Sequence, residues 1–271
     1  MAFQSFSFFP GVFHIQDNMG VCMTLLCGRD SALLVDTGYG LEDVGAYVRT
    51  LTDKPLSVML THGHHDHALG ARWFDRVWIR KDDFPVYDTY TSEKWRRHVL
   101  SGAKEKGISA AETDFLSARM PAPEALDESE AELGGLTARI IACPGHTPGS
   151  AVVYVPEYEL LLTGDNWNPC TWLFFPEALS AQAYRRNMRQ LRTIPFGRLL
   201  CSHQFGLYRR IQLDVFMEYL TDDRLKAAKA VDTGDRMGVK TAAVQLPMKQ
   251  IFVFDREKFE QDLGKEAESD E

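Results

Sequence analysis

The protein has 271 residues, of which 45% are apolar and 25% charged, and a formal net charge of −8. These values are typical of a folded globular protein, and the acidic balance argues against a nucleic-acid binder, which usually needs a basic face. No apolar run reaches the roughly 20 residues of a membrane helix, so no membrane association is expected. Residues 1–10 lack the pattern of a signal peptide, and the five cysteines lack CxxC spacing. We therefore expect reduced thiols and a cytoplasmic location.

The predicted elements begin with short strands. Apolar runs at 11–17, 21–27 and 32–35 are separated by turn residues and predict consecutive antiparallel strands. Apolar residues at helical spacing over 44–51 predict a helix, and a further strand follows at 56–60.

The middle of the chain changes character. After a short strand at 77–79, residues 82–120 lose the strand rhythm and predict an inserted helical segment, either a lid over a site or a peripheral helical pair. Residues 121–132 are rich in proline and acids, which predicts a loop with room for one edge strand.

The remaining elements alternate strands with helices around an aromatic loop at 167–175. They are predicted strands at 136–142, 151–155, 159–163, 198–202 and 251–254, and predicted helices at 181–191 and 209–230. We expect a single domain over residues 1–263 and an acidic, disordered tail over 264–271.

The most informative stretch is residues 61–70, with the sequence THGHHDHALG. Four of the eight histidines fall at positions 62–67, together with Asp66. Imidazole and carboxylate ligands in combination suit zinc, manganese or iron better than calcium or magnesium. An apolar run precedes the cluster, which places it on a loop between a strand and a helix, where functional side chains are often held.

Three further potential metal ligands each follow a different predicted strand: His146, Asp165 and His203. Side chains at the ends of several strands can converge at one edge of a sheet. A single histidine is more often a hydrogen-bonded structural residue than a ligand, but the whole set predicts a metal site.

These motifs resemble those of the metallo-β-lactamase superfamily. Residues 61–67 match its HxHxDH motif, and 144–150 (PGHTPGS), Gly164-Asp165, His203 and 33–38 (LLVDTG) resemble its other motifs in the family's order. Within the superfamily, the sequence looks most like the glyoxalase II and lactonase side. The resemblance implies an α/β fold, a four-layer αββα sandwich with metals at one edge between the sheets.

The resemblance also implies the roles of the site residues. It assigns one divalent ion to His62, His64 and His146, a second to Asp66, His67 and His203, and a bridging role to Asp165. Zinc is the expected metal, with iron or manganese as alternatives. A hydroxide bridging two such ions would act as the nucleophile, oriented by Asp66.

Other residues near the motifs receive weaker expectations. Asp36 is expected to accept a hydrogen bond from a ligand histidine, with a structural role in its turn as the alternative. His65 is expected to face solvent or to contact a ligand without binding the metal, and Cys143 and Cys201 are expected to be buried. Six aromatic side chains are expected to form a pocket for an apolar or aromatic acyl group: Trp167, Trp172, Phe174, Phe175, Tyr87 and Tyr90.

The predicted function is metal-dependent hydrolysis of a small-molecule ester, thioester or lactone. A phosphodiesterase of the same fold and a non-catalytic, metal-binding sensor are the alternatives. Asn168 stands where lactonases of this fold often carry a tyrosine, and the C-terminal part is shorter than in the glyoxalase II group. The substrate class therefore stays open. A homodimer is compatible with the sequence.

Overall fold

The structure, a computed structural model, describes residues 3–234 and 238–269, and for 266–269 the backbone alone. A seven-stranded sheet comes first, with its strands in chain order. These strands are β1 (Phe3–Phe9), β2 (Val12–Asp17), β3 (Cys22–Cys27), β4 (Ala32–Val35), β5 (Leu56–Met59), β6 (Trp78–Ile79) and β7 (Glu124–Ala125). Strands β1 to β4 are antiparallel, whereas β4 to β7 are parallel.

A six-stranded sheet follows in the second half of the chain. Its strands are β8 (Ser129–Glu132), β9 (Thr137–Ala142), β10 (Ala151–Val155), β11 (Leu160–Leu162), β13 (Arg198–Leu200) and β14 (Tyr208–Arg209). They lie in the order β14-β13-β11-β10-β9-β8, and β11 pairs with β13 in parallel.

A four-stranded sheet lies outside the second sheet. It consists of β12 (Cys170–Leu173), β15 (Lys229–Ala230), β16 (Thr241–Leu246) and β17 (Gln250–Asp255). Strand β17 confirms the strand predicted near 251–254 and pairs with β12 in parallel.

The helices connect these strands and cover the outer faces of the sheets. They are α1 (Val44–Leu51), α2 (His65–Ala68), α3 (Phe84–Tyr90), α4 (Glu93–Glu105), α5 (Glu112–Ser117), α6 (Ala181–Met188), α7 (Arg210–Tyr219), α8 (Asp222–Lys226) and α9 (Arg256–Ser269). Short 3₁₀ turns cover Leu69–Trp73, Lys81–Asp83, Pro156–Tyr158 and Arg189–Thr193. Helices α3 to α5 fall inside the segment 82–120.

Apolar side chains alternate between the two faces of the central strands, and their packing produces the expected four layers. In β4, Leu33 and Val35 face a core shared with β9 to β11, whereas Leu34 faces the opposite side, together with Val44 and Val48 of α1. Successive strand side chains point to opposite faces, so a strand buried on both faces needs apolar residues throughout. The outer face of the second sheet packs in the same way against α6, α7, α9 and the four-stranded sheet.

Strand direction determines where the predicted ligands lie. Strands β4 and β5 are parallel, so the residues that follow both strands lie at the same edge of the first sheet. In the second sheet, β9 and β11 are both antiparallel to β10, and β13 is parallel to β11. The residues that follow β9, β11 and β13 therefore share one edge as well.

Several predicted elements need correction. The helix predicted over 209–230 is interrupted, because Thr221 caps a new helix by accepting a hydrogen bond from the Arg224 backbone. Strand β15 follows, inside the same predicted span. The loop over 121–132 contains two edge strands instead of one, and the aromatic loop over 167–175 contains β12.

Both ends of the chain also differ from expectation. Residues 3–9 form the edge strand β1, which the sequence analysis did not predict. Of the tail expected to be disordered over 264–271, residues 264–269 continue α9, and residues 270 and 271 lie outside the described residues. Within the described chain, no helix is both long and apolar enough to cross a membrane.

The packing of the outer core gives a stability prediction. Phe252 is fully buried, and its ring stacks against Tyr184 at 5.5 Å between centroids. We expect Phe252→Ala to lower the free energy of unfolding by about 3–5 kcal/mol, because it leaves a cavity in a close-packed core. Urea unfolding measures this loss.

The matched control is Phe6→Ala, since the Phe6 side chain is 54% exposed. The control is expected to change stability by no more than about 0.5 kcal/mol. Equal losses for the two variants would contradict the described core.

Candidate metal centre

Three buried histidines form the first group of potential ligands: His62, His64 and His146. His62 follows β5, His64 precedes α2, and His146 lies in the loop between β9 and β10. Nδ1 of His64 lies 2.9 Å from Nε2 of His146, and the His62 ring centre lies 4.7 Å from each of the other two ring centres. One nitrogen of each ring thus lies within 4.8 Å of the others.

The second group contains two aspartates and two histidines: Asp66, His67, Asp165 and His203. Oδ2 of Asp165 lies 2.9 Å from Nε2 of His203 and 3.5 Å from Nε2 of His67. Oδ2 of Asp66 lies 3.7 Å from the same His67 atom and 3.5 Å from the same His203 atom. Helix α2 brings Asp66 and His67 to this point from one side, and β11 and β13 bring the other two residues.

Asp165 also connects the two groups. Its Oδ2 atom lies 3.7 Å from Nε2 of His146, which belongs to the first group. The ring centres of His62 and His67 are 4.0 Å apart, so the groups are adjacent. This is the position that a bridging carboxylate requires.

The donor atoms fit divalent metal ions. Nε2 of His62, Nε2 of His67 and Oδ1 of Asp165 are buried and have no hydrogen-bond partner among the described residues. Buried polar atoms nearly always have partners, so unpaired donor atoms in both ligand groups fit positions where metal ions bind. Imidazole nitrogens together with carboxylate oxygens are the ligand set of zinc, iron and manganese.

The electrostatics of the two groups differ. Burial and the neighbouring histidines, His67 first among them, hold the pKa of His62 well below its usual value. Burial and the neighbouring His64 lower the pKa of His146 to about 4. His62 and His146 therefore offer neutral imidazoles, the form that binds a metal.

The second group combines carboxylates with histidines. Burial opposes the charge of Asp66, but the neighbouring histidines outweigh burial and lower its pKa to about 2. Burial also opposes protonation of His67, yet Asp165 and the other nearby carboxylates raise the pKa of His67 well above its usual value. The carboxylates thus favour positive charge at this point, and a divalent cation can supply it in place of the protons.

Asp36 lies where it can orient a ligand histidine. Its Oδ2 atom is 3.0 Å from Nδ1 of His67, and its carboxylate also accepts hydrogen bonds from the backbone and hydroxyl of Thr61. Its φ of 66° is left-handed, a conformation that aspartate tolerates better than most residues. Asp36 therefore links the turn after β4 to the histidine cluster, so its contacts fit both of the roles considered for it.

Two carboxylates that no sequence pattern marks hold the ligand loops. Oε1 of Glu177 lies 2.5 Å from Nε2 of His64. Asp83 accepts hydrogen bonds from the backbone N–H groups of Gly63 and Gly149, at 2.7 and 2.6 Å, and so joins the loops of the first group. Neither acid belongs to a recognisable motif, so their roles depend on contacts that only the folded chain creates.

The aromatic residues expected to line a pocket separate into two sets. Trp167 and Tyr87 lie in the hydrophobic cores, and Phe174 is buried as well, with its ring stacked on Phe175 at 4.9 Å between centres. None of the three offers an exposed face to a substrate. Gln250 accepts a hydrogen bond from the indole N–H of Trp167, which satisfies this polar group inside the core. The Tyr87 hydroxyl donates to a backbone carbonyl in the same way.

The other three aromatic residues lie beside the metal ligands. The rings of Tyr90 and Phe175 lie 4.4 and 4.6 Å from the ring of His64, centre to centre. Trp172 is 41% exposed and lies 6.5 Å from Phe175 between ring centres. These residues form an aromatic rim around the first group.

The remaining residues near the motifs lie outside both ligand groups. His65 is outside both ligand groups, and its ring stacks against Trp95 at 4.9 Å between centroids. Cys143 and Cys201 are buried, and burial raises the pKa of the Cys143 thiol to about 12. A neutral thiol is not a metal ligand.

Comparison with known proteins agrees with the fold. Residues 19–203 match the family described as the metallo-beta-lactamase superfamily. The chain belongs to this superfamily. Among solved structures, the superfamily chain resembles a metallo-beta-lactamase family protein from Thermus thermophilus, with 21% identity, 82% of each chain covered and a TM-score of 0.55.

Among its relatives is the Probable metallo-hydrolase YqgX of Bacillus subtilis (strain 168). The two sequences are 30% identical over 52% of this chain and 63% of the relative. The acyl-coenzyme A thioesterase MBLAC2 of Bos taurus is 25% identical over 57% of this chain and 63% of the relative. A hydroxyacylglutathione hydrolase of Cereibacter sphaeroides is 28% identical over 68% and 66%. The chain spans about three fifths of the length of the first of these relatives.

The Asp36 contacts generate a prediction about metal affinity. We expect Asp36→Asn to weaken metal binding by about 10- to 100-fold, because the carboxylate that orients His67 loses its charge. Asparagine keeps the left-handed backbone conformation accessible, so the fold is expected to persist. Competition of the protein with a chromophoric chelator for zinc measures the affinity.

The control is Asp88→Asn, because Asp88 is an exposed residue of α3. It is expected to bind zinc like the wild type. An Asp36→Asn protein with wild-type affinity would show that this carboxylate has only a structural role in its turn.

Proposed function

We propose that the protein is a metal-dependent hydrolase of small-molecule esters, thioesters or lactones, with thioesters favoured. The observation that carries this proposal is the meeting of the two ligand groups at Asp165. His62, His64 and His146 would hold one ion, Asp66, His67 and His203 the second, and Asp165 both, with zinc as the expected metal. Bound ions of this kind lower the pKa of coordinated water to about 7 and polarise an acyl oxygen.

The residues of the chain contribute orientation and charge. Asp66 is ionised at neutral pH, because its pKa is lowered to about 2. Its carboxylate can accept a hydrogen bond from the attacking water and fix the direction of the remaining oxygen lone pair. Asp36 keeps Nδ1 of His67 occupied, so that Nε2 faces the second group.

The aromatic rim supports an acyl substrate. Tyr90 and Phe175 cover two sides of the His64 ring and exclude water from it. Trp172 extends this apolar surface outward, and its exposed face is available to an acyl chain. Apolar surface next to a charged centre is what a substrate with a reactive carbonyl and an apolar tail requires.

Two of the relatives favour a thioester within this substrate class. One is an acyl-coenzyme A thioesterase and another is a hydroxyacylglutathione hydrolase, and both names describe the release of an acyl group from a thiol. We also propose a reducing compartment such as the cytoplasm, which is supported by five free cysteines.

A hydrolysis panel tests this function. The purified protein, loaded with zinc, is offered an acyl-coenzyme A, a hydroxyacylglutathione, a lactone, a phosphodiester and a cephalosporin. We expect the highest kcat/KM on one of the thioesters, loss of turnover on chelation and recovery when zinc is returned. A preference for the phosphodiester, or bound metal without turnover on any substrate, would contradict the proposal and favour the phosphodiesterase or the sensor alternative.

The aromatic rim gives a second prediction. We expect Trp172→Ala to raise KM for apolar thioesters by about 3- to 10-fold with little change in kcat, because it removes uniform binding of the acyl chain. The backbone carbonyl that holds His146 remains in this variant. Steady-state kinetics across acyl chain lengths measure the effect.

Tyr219→Ala is the control, since Tyr219 is also a partly exposed aromatic residue, on the surface of α7. It is expected to keep wild-type kinetics. Kinetics of Trp172→Ala that match the control at every chain length would exclude Trp172 from the substrate site.

A further inference from the structure

Residues 172–177 contact two histidines of the first group at the outward nitrogens of their rings. Nε2 of His64 lies 2.5 Å from Oε1 of Glu177, and Nδ1 of His146 lies 2.8 Å from the backbone oxygen of Trp172. The opposite nitrogens of these two rings, Nδ1 of His64 and Nε2 of His146, are only 2.9 Å apart. The segment 172–177 therefore occupies the outward nitrogen of each ring and leaves the other nitrogen directed at the first group.

Glu177 is well placed for a strong interaction. Its side chain is 18% exposed, and a hydrogen bond from Tyr90 adds to the one from His64. The rings of Tyr90 and Phe175 both pack against the His64 ring. A hydrogen bond to a carboxylate is stronger than one between neutral groups, and it gains further strength where water is excluded.

A lysine of the last helix holds the backbone around Glu177. Nζ of Lys258 donates hydrogen bonds to the carbonyl oxygens of Phe175, Pro176 and Ala178, at 3.0, 2.8 and 2.8 Å. An ammonium group has three N–H donors, so these three bonds use all of them. The carbonyls lie immediately before and after Glu177, so Lys258 determines the path of the chain at this residue.

Further contacts join the same segment to the C-terminal part of the chain. The Ser180 hydroxyl donates to Asp262, and the Gln182 side chain donates to the carbonyl of Phe259 at 3.0 Å. Strand β12, which contains Trp172, pairs in parallel with β17. The strand and helix that make these contacts lie beyond residue 203, where the match to the superfamily ends.

We propose that Glu177 is a positioning residue for His64, and that Lys258 acts through Glu177 to set the metal affinity of the first group. The Nε2–H of His64 donates to the carboxylate, which fixes the orientation of the ring and directs Nδ1 at the group. Asp36 does the same for His67 in the second group. The inference rests on the metal binding in the proposed function, but not on the substrate.

The test measures zinc affinity by chelator competition on the full-length protein. We expect Glu177→Leu to bind one of two ions about 10- to 100-fold more weakly, and the other as the wild type does. Glu177→Gln keeps an oxygen acceptor without the charge, so it is expected to recover part of the lost affinity. Urea unfolding of the metal-free variants checks that the fold is intact.

The role of Lys258 is tested with a double-mutant cycle. Lys258→Met alone is expected to weaken the same ion by about 3- to 10-fold, and to cause less than about a 2-fold further loss in the Glu177→Leu background. The matched controls are Lys240→Met and Glu260→Gln. Lys240 and Glu260 are exposed residues that form ion pairs with Glu257 and Arg256 of α9. Both controls are expected to bind like the wild type.

The outcomes separate this inference from the proposed function. A wild-type protein that takes up no zinc would overturn both. A wild type that binds two ions, with Glu177→Leu binding both equally well, would overturn the role of Glu177 alone. Independent losses in the double variant would show that Lys258 does not act through Glu177.

Discussion

The structure depends on one electrostatic constraint, the gathering of five histidines and two aspartates at one edge of two packed sheets. Burying such groups without partners is costly, about several kcal/mol for each charge even after relaxation. The fold offsets part of this cost at the outward ring nitrogens, where Asp36 binds His67 and Glu177 binds His64. The inward atoms are left for a cation, so folding and metal binding are linked.

The directions of the strands bring these side chains together. The ligands come from distant parts of the chain, yet each follows a strand that ends at the shared edge of the sheets. The C-terminal part adds a support of its own, because β17 and α9 hold the segment that contacts the first group. The superfamily core thus supplies the ligands, and the region after residue 203 supplies part of their orientation.

The layered fold and the clustering of the seven candidate ligands could be predicted, because each part of the pattern is visible in a short stretch of sequence. HxHxDH is a contiguous motif, and alternating apolar residues mark the central strands. The positions of Glu177 and Lys258 could not be predicted, since an acid and a lysine 81 residues apart have no local relation and meet only after β12 pairs with β17. Which aromatic residues of the loop are buried could not be predicted for a related reason. Trp167 and Trp172 look alike in sequence, but a hydrogen bond from Trp167 to Gln250 accompanies its burial in the core.

The most direct test of this account is anomalous diffraction from crystals of the zinc-loaded protein, recorded on both sides of the zinc absorption edge. The account predicts two zinc peaks. One should be bound by His62, His64 and His146, the other by Asp66, His67 and His203, with Asp165 in contact with both. A single peak, or zinc bound away from these side chains, would contradict the two-ion centre on which the proposed chemistry rests.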